Sequence, residues 1–224
     1  MRGLGAGVAV ALLAGAAQAD LQGTAAGARV WDFAVTLDGK PIGRHRYSLT
    51  PADAAGTRVL SSEADYLVKF LGIPVFRYRH EARERWEGNC LAGLVSSTDQ
   101  DGRRSRVLAE PAGNGLRIAV DTPAGGAPAE PQLAAGCVMS FAYWNGAMRA
   151  QSRLLNPQTG QIETVHIAPA GSAQVDVRGT PVRAQTWRIT GAASPVDVWY
   201  AEDGEWVGLD ALVQGQRKLS YRLQ

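Results

Sequence analysis

Apolar and polar residues alternate with a period of two along most of the chain, the pattern of strands with one buried face. Residues Trp31–Leu37 alternate, Asp38-Gly39 supplies a tight turn, and a second alternating run continues from Ile42 to Leu49. Similar runs and turns recur at short intervals to the C-terminus. The pattern predicts about ten to twelve strands joined as antiparallel hairpins.

The clearest run, Val75–Trp86, predicts one face of mixed chemistry and one face of charges. The first face carries Phe76, Tyr78, His80, Ala82, Glu84 and Trp86. The second face carries Arg77, Arg79, Glu81, Arg83 and Arg85. Successive side chains of a strand point to opposite sides, so the charged ladder is predicted to face solvent or a ligand.

Two segments depart from the strand pattern. Residues 121–135 are rich in Pro, Gly and Ala, which predicts a loop insertion rather than a domain boundary, because the strand pattern resumes afterwards. Residues Cys137–Leu155 have only weak helical periodicity and predict one short helix or an ordered insertion. The predicted fold is therefore mainly β. Residues 20–224 form one domain, a single large curved antiparallel sheet shaped as a half-barrel (clamp) or open barrel.

The N-terminus has the features of a cleavable secretory signal over residues 1–19. Arg2 precedes an uncharged apolar run from Leu4 to Ala16, and Ala17-Gln18-Ala19 offers small residues for cleavage before Asp20. A retained membrane anchor is the alternative, although the run is shorter than a bilayer-spanning helix requires. No second long apolar run follows, so we expect a periplasmic protein with no transmembrane segment after cleavage.

The charge balance narrows the classes of partner, and the cysteine content predicts a disulfide. The 23 basic and 21 acidic residues nearly balance, which gives no reason to invoke nucleic acid or an anionic membrane. Cys90 and Cys137 are the two cysteines, and in an exported protein they are predicted to form a disulfide. Two buried free thiols are the alternative; no CxxC motif or nearby His supports a metal.

The sequence contains no recognisable catalytic, metal or cofactor motif. A GxSxG nucleophile elbow and a glycine-rich phosphate loop are both missing. His45, His80 and His166 lie on different predicted strands without metal-ligand spacing. His80 shares a face with Glu84 and could act as a general base in a cleft, but a histidine packed in the sheet is the plainer interpretation. We therefore predict no catalytic residue, metal ligand or cofactor.

The segment Phe141–Asn145 places three aromatic residues within four positions. These side chains could pack on the sheet as a plug, or they could line a cavity for an apolar ligand. A plug that moves would act as a lid, so the two interpretations overlap. The predicted ligand-binding residues are Phe141, Tyr143 and Trp144, together with Tyr78 and His80 from the mixed face.

Four motifs in series resemble an uncharacterised family of exported proteobacterial proteins, a domain of unknown function. They are Glu84–Gly88, Thr98–Gly102, Phe141–Asn145 and Leu154–Gly160. The likeness extends over about Trp31–Leu223. In strand plan the family is similar to the curved sheet of the lipoprotein carriers (LolA/LolB-like). That resemblance implies a periplasmic clamp and carries over no catalytic residue. The chain departs from the carriers because it lacks a convincing pair of plug helices.

Three hypotheses about function follow. The first is a non-enzymatic binding module for an apolar small molecule or a lipid, held on the concave face of the sheet. The second is an enzyme on a carrier-like sheet, with His80, Glu84 and Arg79 as candidates. The third is an envelope interaction protein that docks an unidentified protein partner through a strand edge or the arginine face.

Overall fold

The structure is a computed structural model that describes residues 27–122, 130–213 and 216–224. The predicted signal, residues 1–19, lies outside the described residues. The described chain contains fifteen strands and one short 3₁₀ helix, Gly146–Ala150. The strands are β1 Arg29–Leu37, β2 Lys40–Leu49, β3 Thr57–Phe70, β4 Ile73–Glu87, β5 Cys90–Gln100, β6 Arg103–Ala112, β7 Gly115–Asp121, β8 Gln132–Ala135, β9 Arg153–Leu155, β10 Ile162–Thr164, β11 His166–Val177, β12 Thr180–Thr190, β13 Val196–Ala201, β14 Trp206–Val213 and β15 Arg217–Leu223.

Thirteen of these strands form one antiparallel sheet, which confirms the predicted fold class. The order is β11-β12-β13-β14-β15-β1-β2-β3-β4-β5-β6-β7-β8, and β9 pairs separately with β10. The first and last strands in this order do not pair with each other within the described ranges, so the sheet is not closed. Strand β1 pairs with β15, which brings the two ends of the described chain together in the middle of the sheet.

The burial pattern confirms the two faces predicted for β4. His80, Ala82, Glu84 and Trp86 are buried, whereas the arginines between them are exposed. The same alternation buries Trp31, Phe33, Val35 and Leu37 of β1. The buried faces of β1 and β4 belong to one hydrophobic core on the concave side of the sheet.

The sheet is strongly curved. Strands β4 and β14 are five places apart in the sheet, which would separate them by about 24 Å if the sheet were flat. Nevertheless the adjacent residues Tyr143 and Trp144 reach both strands. Tyr143 lies 5.3 Å from Trp206 of β14, and Trp144 lies 5.4 Å from Trp86 of β4, measured between ring centroids.

The predicted loop insertion at 121–135 requires a correction. Asp121 ends β7, and Gln132–Ala135 forms the edge strand β8, which pairs antiparallel with β7. The strand forms because Ala134 is buried against the core while its backbone pairs with Leu116. Residues 123–129 lie outside the described residues.

The predicted disulfide joins the start of β5 to the segment that follows β8. Cys90 and Cys137 are bonded, with their Cα atoms 5.0 Å apart. The next residues form the ordered insertion and the single 3₁₀ helix, which starts after Asn145, whose side-chain oxygen accepts a hydrogen bond from the backbone of Ala147. Among the described helices none has the length and apolar character to cross a membrane.

Candidate functional site

An insertion, defined here as residues 136–165, covers the concave face of the sheet. Near its start the Leu91 backbone N–H donates to Val138 O at 2.8 Å. Further along, the Tyr200 hydroxyl of β13 donates to Tyr143 O at 2.8 Å. The insertion therefore bridges strands that lie on opposite sides of the curved sheet.

The insertion is also seated on the sheet by the loop Asn156–Gly160. The Ser96 hydroxyl of β5 donates to Pro157 O. Gly160 has a φ of +72°, and a Cβ there would strike the Val120 side chain of β7. Only glycine allows this close approach, since it combines the left-handed backbone with the absence of a side chain.

One cavity lies between the insertion and the sheet, and a second cavity adjoins the first. The first, called the polar cavity, has a volume of about 240 Å³ and is lined by His45, Tyr47, Leu60, Ser62, His80, Ala82, Glu84, Phe141, Tyr143, Trp144, Asn156, Pro157, Gln158, Glu163, Ala192, Ala193, Ser194, Val196 and Trp206. The second, called the apolar cavity, has a volume of about 450 Å³ and is lined by Leu37, Ile42, His45, Tyr66, Val68, Val75, Phe76, Tyr78, Gln100, Gln158, Val213, Arg217, Leu219 and Tyr221. His45 and Gln158 line both cavities, so the two meet at these residues.

A cluster of hydroxyl groups surrounds His45 where the cavities meet. Its Nε2 lies 2.8 Å from Ser62 Oγ. Its Nδ1 lies 3.1, 3.2 and 3.4 Å from the hydroxyls of Tyr47, Tyr66 and Tyr221, respectively. The last two hydroxyls also hydrogen-bond each other. These partners suit a neutral imidazole with its proton on Nε2, because the single lone pair of an unprotonated Nδ1 can then accept from one of the tyrosine hydroxyls.

His80 is the second buried histidine, and it lies in the same cross-strand row of the sheet as His45. Ala64 of β3 pairs with His45 on one side and with His80 on the other. His80 Nδ1 lies 2.9 Å from Thr98 Oγ1 on the next strand. Burial lowers the pKa of His80 to about 4 and lowers that of His45 well below its ordinary value. Both rings are therefore uncharged at neutral pH.

Glu84 is a buried carboxyl group in the wall of the polar cavity. Its Oε2 accepts hydrogen bonds from Trp86 Nε1 at 2.9 Å and from Ser140 Oγ at 3.1 Å. Burial raises its pKa to about 7, although the two hydrogen bonds oppose this shift. No ion pair of the described residues includes Glu84.

Six tyrosines at or near the cavities are also held in their neutral form. Burial raises the pKa of Tyr221 to about 12, and it raises the pKa values of Tyr47, Tyr66, Tyr78, Tyr143 and Tyr200 further above the usual range. The walls therefore offer many neutral hydrogen-bonding groups, and besides the tyrosines and the two histidines their ionisable groups are the carboxyls of Glu84 and Glu163 in the polar cavity and the guanidinium of Arg217 in the apolar cavity.

The residues predicted as ligand-binding all line the two cavities. Phe141, Tyr143, Trp144 and His80 line the polar cavity, and Tyr78 lines the apolar cavity. The three aromatic residues of the insertion are also half-buried against the core, so they pack on the sheet and line the cavity at once. Trp144 Nε1 is buried and has no hydrogen-bond acceptor among the described residues.

The catalytic set considered from the sequence is brought together only in part, since His80 and Glu84 both line the polar cavity. None of the hydrogen bonds made by described residues joins His80 to Glu84; Ala82 separates them on the same face of β4. Arg79 must be removed from that set, because it lies on the opposite, exposed face and pairs with Asp65 at 3.3 Å. Within the described ranges no group of three His, Cys, Asp or Glu side chains is arranged to hold a metal ion.

The hydroxyl cluster around His45 was missed by the sequence reasoning. Tyr47 and Tyr66 lie on runs that alternate, so a period-two count places them on inward faces of β2 and β3. Tyr221 is separated from Tyr66 by 155 residues, and the alternation along each strand carries no signal that the two hydroxyls meet.

These features define a class of protein: an open, barrel-like antiparallel sheet with a covered, largely uncharged concave cavity. By sequence the chain belongs to the domain of unknown function family DUF6134, whose model matches residues 33–224. In fold it is similar to a solved beta-barrel-like protein of domain of unknown function DUF1849 from Brucella abortus. That similarity has a TM-score of 0.57 and 12% identity, covering 88% of this chain and 94% of the other. A search of curated proteins found no match.

Proposed function

We propose that the protein is an exported, periplasmic, non-enzymatic binding protein for an apolar molecule that carries an uncharged polar group. The observation that supports this most directly is the pairing of the two cavities. The apolar cavity would accept the hydrocarbon part, and the hydroxyl cluster at its junction with the polar cavity would bind the polar group. This is the composition of small-molecule sites: apolar walls with a few convergent polar groups.

The preference for an uncharged group follows from the electrostatics of the walls. A buried carboxylate or phosphate needs a cation or several N–H donors, because burying an unpaired charge is costly. His45 and His80 are neutral at pH 7, and Arg217 at the rim of the apolar cavity is paired with Asp38 at 2.8 Å. An alcohol, ketone or ester oxygen, in contrast, needs only the hydroxyl donors present.

Export is the part of the proposal that rests on the N-terminal sequence and on the disulfide. A disulfide persists in oxidising compartments such as the periplasm, and the pattern of residues 1–19 is that of a signal removed on export. The clamp shape similar to that of lipoprotein carriers belongs to the same proposal. The cover differs from a pair of plug helices, since the insertion contains only one short 3₁₀ helix within the described residues.

A competition assay tests the ligand class. The neutral fluorescent probe N-phenylnaphthylamine would be displaced by three ligands with the same alkyl chain: dodecanol, dodecanoate and dodecyl trimethylammonium. We expect dodecanol to displace the probe at the lowest concentration. If dodecanoate or dodecyl trimethylammonium displaces it best at neutral pH, the uncharged-group assignment is wrong.

A pair of neighbouring substitutions tests the location. Val68→Trp would fill the apolar cavity, whereas Leu67→Trp adds the same group on the opposite face of β3. We expect about tenfold weaker probe binding in the first variant and unchanged binding in the second, since a tenfold loss is about 1.4 kcal/mol. Equal binding in both variants would place the site elsewhere. Native mass spectrometry of protein purified from the periplasm, with organic extraction, would identify a co-purified molecule.

A further inference from the structure

The hairpin of β3 and β4 separates from its neighbours at one end of the sheet. Strand β2 pairs with β3 only as far as Tyr66, and β5 pairs with β4 only from Tyr78. Beyond those positions the two strands pair only with each other, out to Phe70 and Ile73. The four residues past Tyr66 therefore lie in a two-stranded segment about 13 Å long at the rise of a β-strand. We call residues Leu67–Phe76 the finger.

The finger is apolar and exposed at its end. Phe70 is 66% exposed, Leu71 86%, Ile73 66% and Val75 55%. These are half of the eight large apolar residues that are exposed in the described part of the chain. Clustered exposure of this kind costs solubility and marks a surface that contacts another phase or molecule.

The turn at the end of the finger strengthens this interpretation. Among the described residues, four that are not glycine have a positive φ: Asp38, Leu71, Asp101 and Arg178. Each precedes a glycine in a two-residue turn, where Asn or Asp is normally favoured. Three of the four are polar, but Leu71 places an apolar side chain in the left-handed conformation at 86% exposure. Neither turn geometry nor core packing accounts for a leucine there.

The charge around the finger is positive. Residues 66–80 include Lys69, Arg77 and Arg79 and no Asp or Glu. Arg79 is paired with Asp65, and Asp101 on the neighbouring β5–β6 turn accepts a hydrogen bond from the Arg77 backbone N–H at 2.7 Å. The positive excess therefore rests on Lys69, Arg77 and Arg103 at the start of β6, which make no ion pair with any described residue. The near-neutral total charge of the chain conceals this local excess.

From these observations we infer that the finger inserts into the surface of a membrane that contains anionic phospholipid. An apolar end flanked by cations has the composition of segments that bury side chains at the headgroup boundary while basic residues remain among the lipid phosphates. A two-stranded finger is too narrow for the roughly 800 Å² that a stable protein interface buries on each partner. Insertion would bring the apolar cavity close to the bilayer, because Val68, Val75 and Phe76 belong to both. This inference does not rest on the proposed ligand.

Vesicle flotation of the processed protein tests the inference. The vesicles would contain phosphatidylethanolamine with phosphatidylglycerol, and a second set would contain phosphatidylcholine alone. We expect wild type to bind the anionic vesicles, with binding that weakens as salt rises. Leu71→Asn should lower the partition coefficient about tenfold. Asn is favoured at a positive φ, so this variant should fold normally.

The matched control is Leu133→Asn. Leu133 is 73% exposed on the edge strand β8, outside the finger, and the same substitution there should leave vesicle binding unchanged. Lys69→Gln with Arg77→Gln should weaken binding to the anionic vesicles more than to phosphatidylcholine. Equal vesicle binding by wild type and Leu71→Asn would overturn the inference. The inference would also be overturned if the wild type is a dimer that does not bind vesicles and the Leu71→Asn variant is a monomer. The finger would then contact a second copy of the chain.

Discussion

Glu84 shows at the residue scale how burial decides protonation. The folded state binds its proton up to about pH 7, whereas the unfolded chain releases it near 4.5. In the window between these values the folded state holds more protons than the unfolded state. The free energy of unfolding contributed by Glu84 therefore falls as the pH rises from about 4.5 to about 7. At pH 8 the free energy of unfolding is lower than at acidic pH by on the order of 3 kcal/mol because of Glu84.

We therefore expect Glu84→Gln to be more stable than wild type at pH 8 and similar to it at pH 5. Gln keeps the oxygen that accepts from Trp86 and Ser140 and cannot ionise. Urea unfolding at the two pH values measures the difference. The lowered pKa values of His45 and His80 make both proteins less stable as the pH falls. Because this effect is common to both, the difference between their free energies of unfolding isolates Glu84. Parallel pH profiles would mean that its pKa is close to ordinary.

At the scale of elements, the insertion depends on the contact between its loop and β7. Gly160→Ala should strain the left-handed backbone and also strike Val120, so we expect a loss of about 2–3 kcal/mol in the free energy of unfolding. Gly204→Ala is the matched control, since it has a similar φ of +83° and open space around the added Cβ. That control should lose only about 1 kcal/mol. Equal losses, measured by urea unfolding, would show that the close approach to Val120 contributes nothing.

The other elements were predictable to different degrees. The hairpins came from the alternation, and Asp38-Gly39 and Asp101-Gly102 have the positive φ values expected of tight turns. The edge strand Gln132–Ala135 was missed because it is short and follows a segment rich in Pro and Gly. Its pairing with β7 is a tertiary contact that overrides the local preference of those residues.

At the scale of the whole molecule, the insertion joins the two halves of the sheet. It is tied to β5 by the Cys90–Cys137 disulfide and to β13 by the hydrogen bond from Tyr200 to Tyr143. Its aromatic residues pack on both β4 and β14. We therefore expect one cooperative unfolding transition, in which tryptophan fluorescence and far-ultraviolet circular dichroism change at the same urea concentrations. Two separated transitions would show that the halves of the sheet are independent units.

The sequence by itself determined the class of secondary structure, the buried and exposed faces of β4 and the disulfide pairing, because alternation is a local property and two cysteines have one pairing. It also singled out Tyr78, His80, Phe141, Tyr143 and Trp144 as inward or aromatic candidates. Only the tertiary structure decided that these residues line two adjoining cavities and that the hydroxyl cluster forms around His45. The physical reason is that a strand's own residues set only which way each side chain points. Whether side chains from β2, β3 and β15 meet depends on the register and bending of the whole sheet.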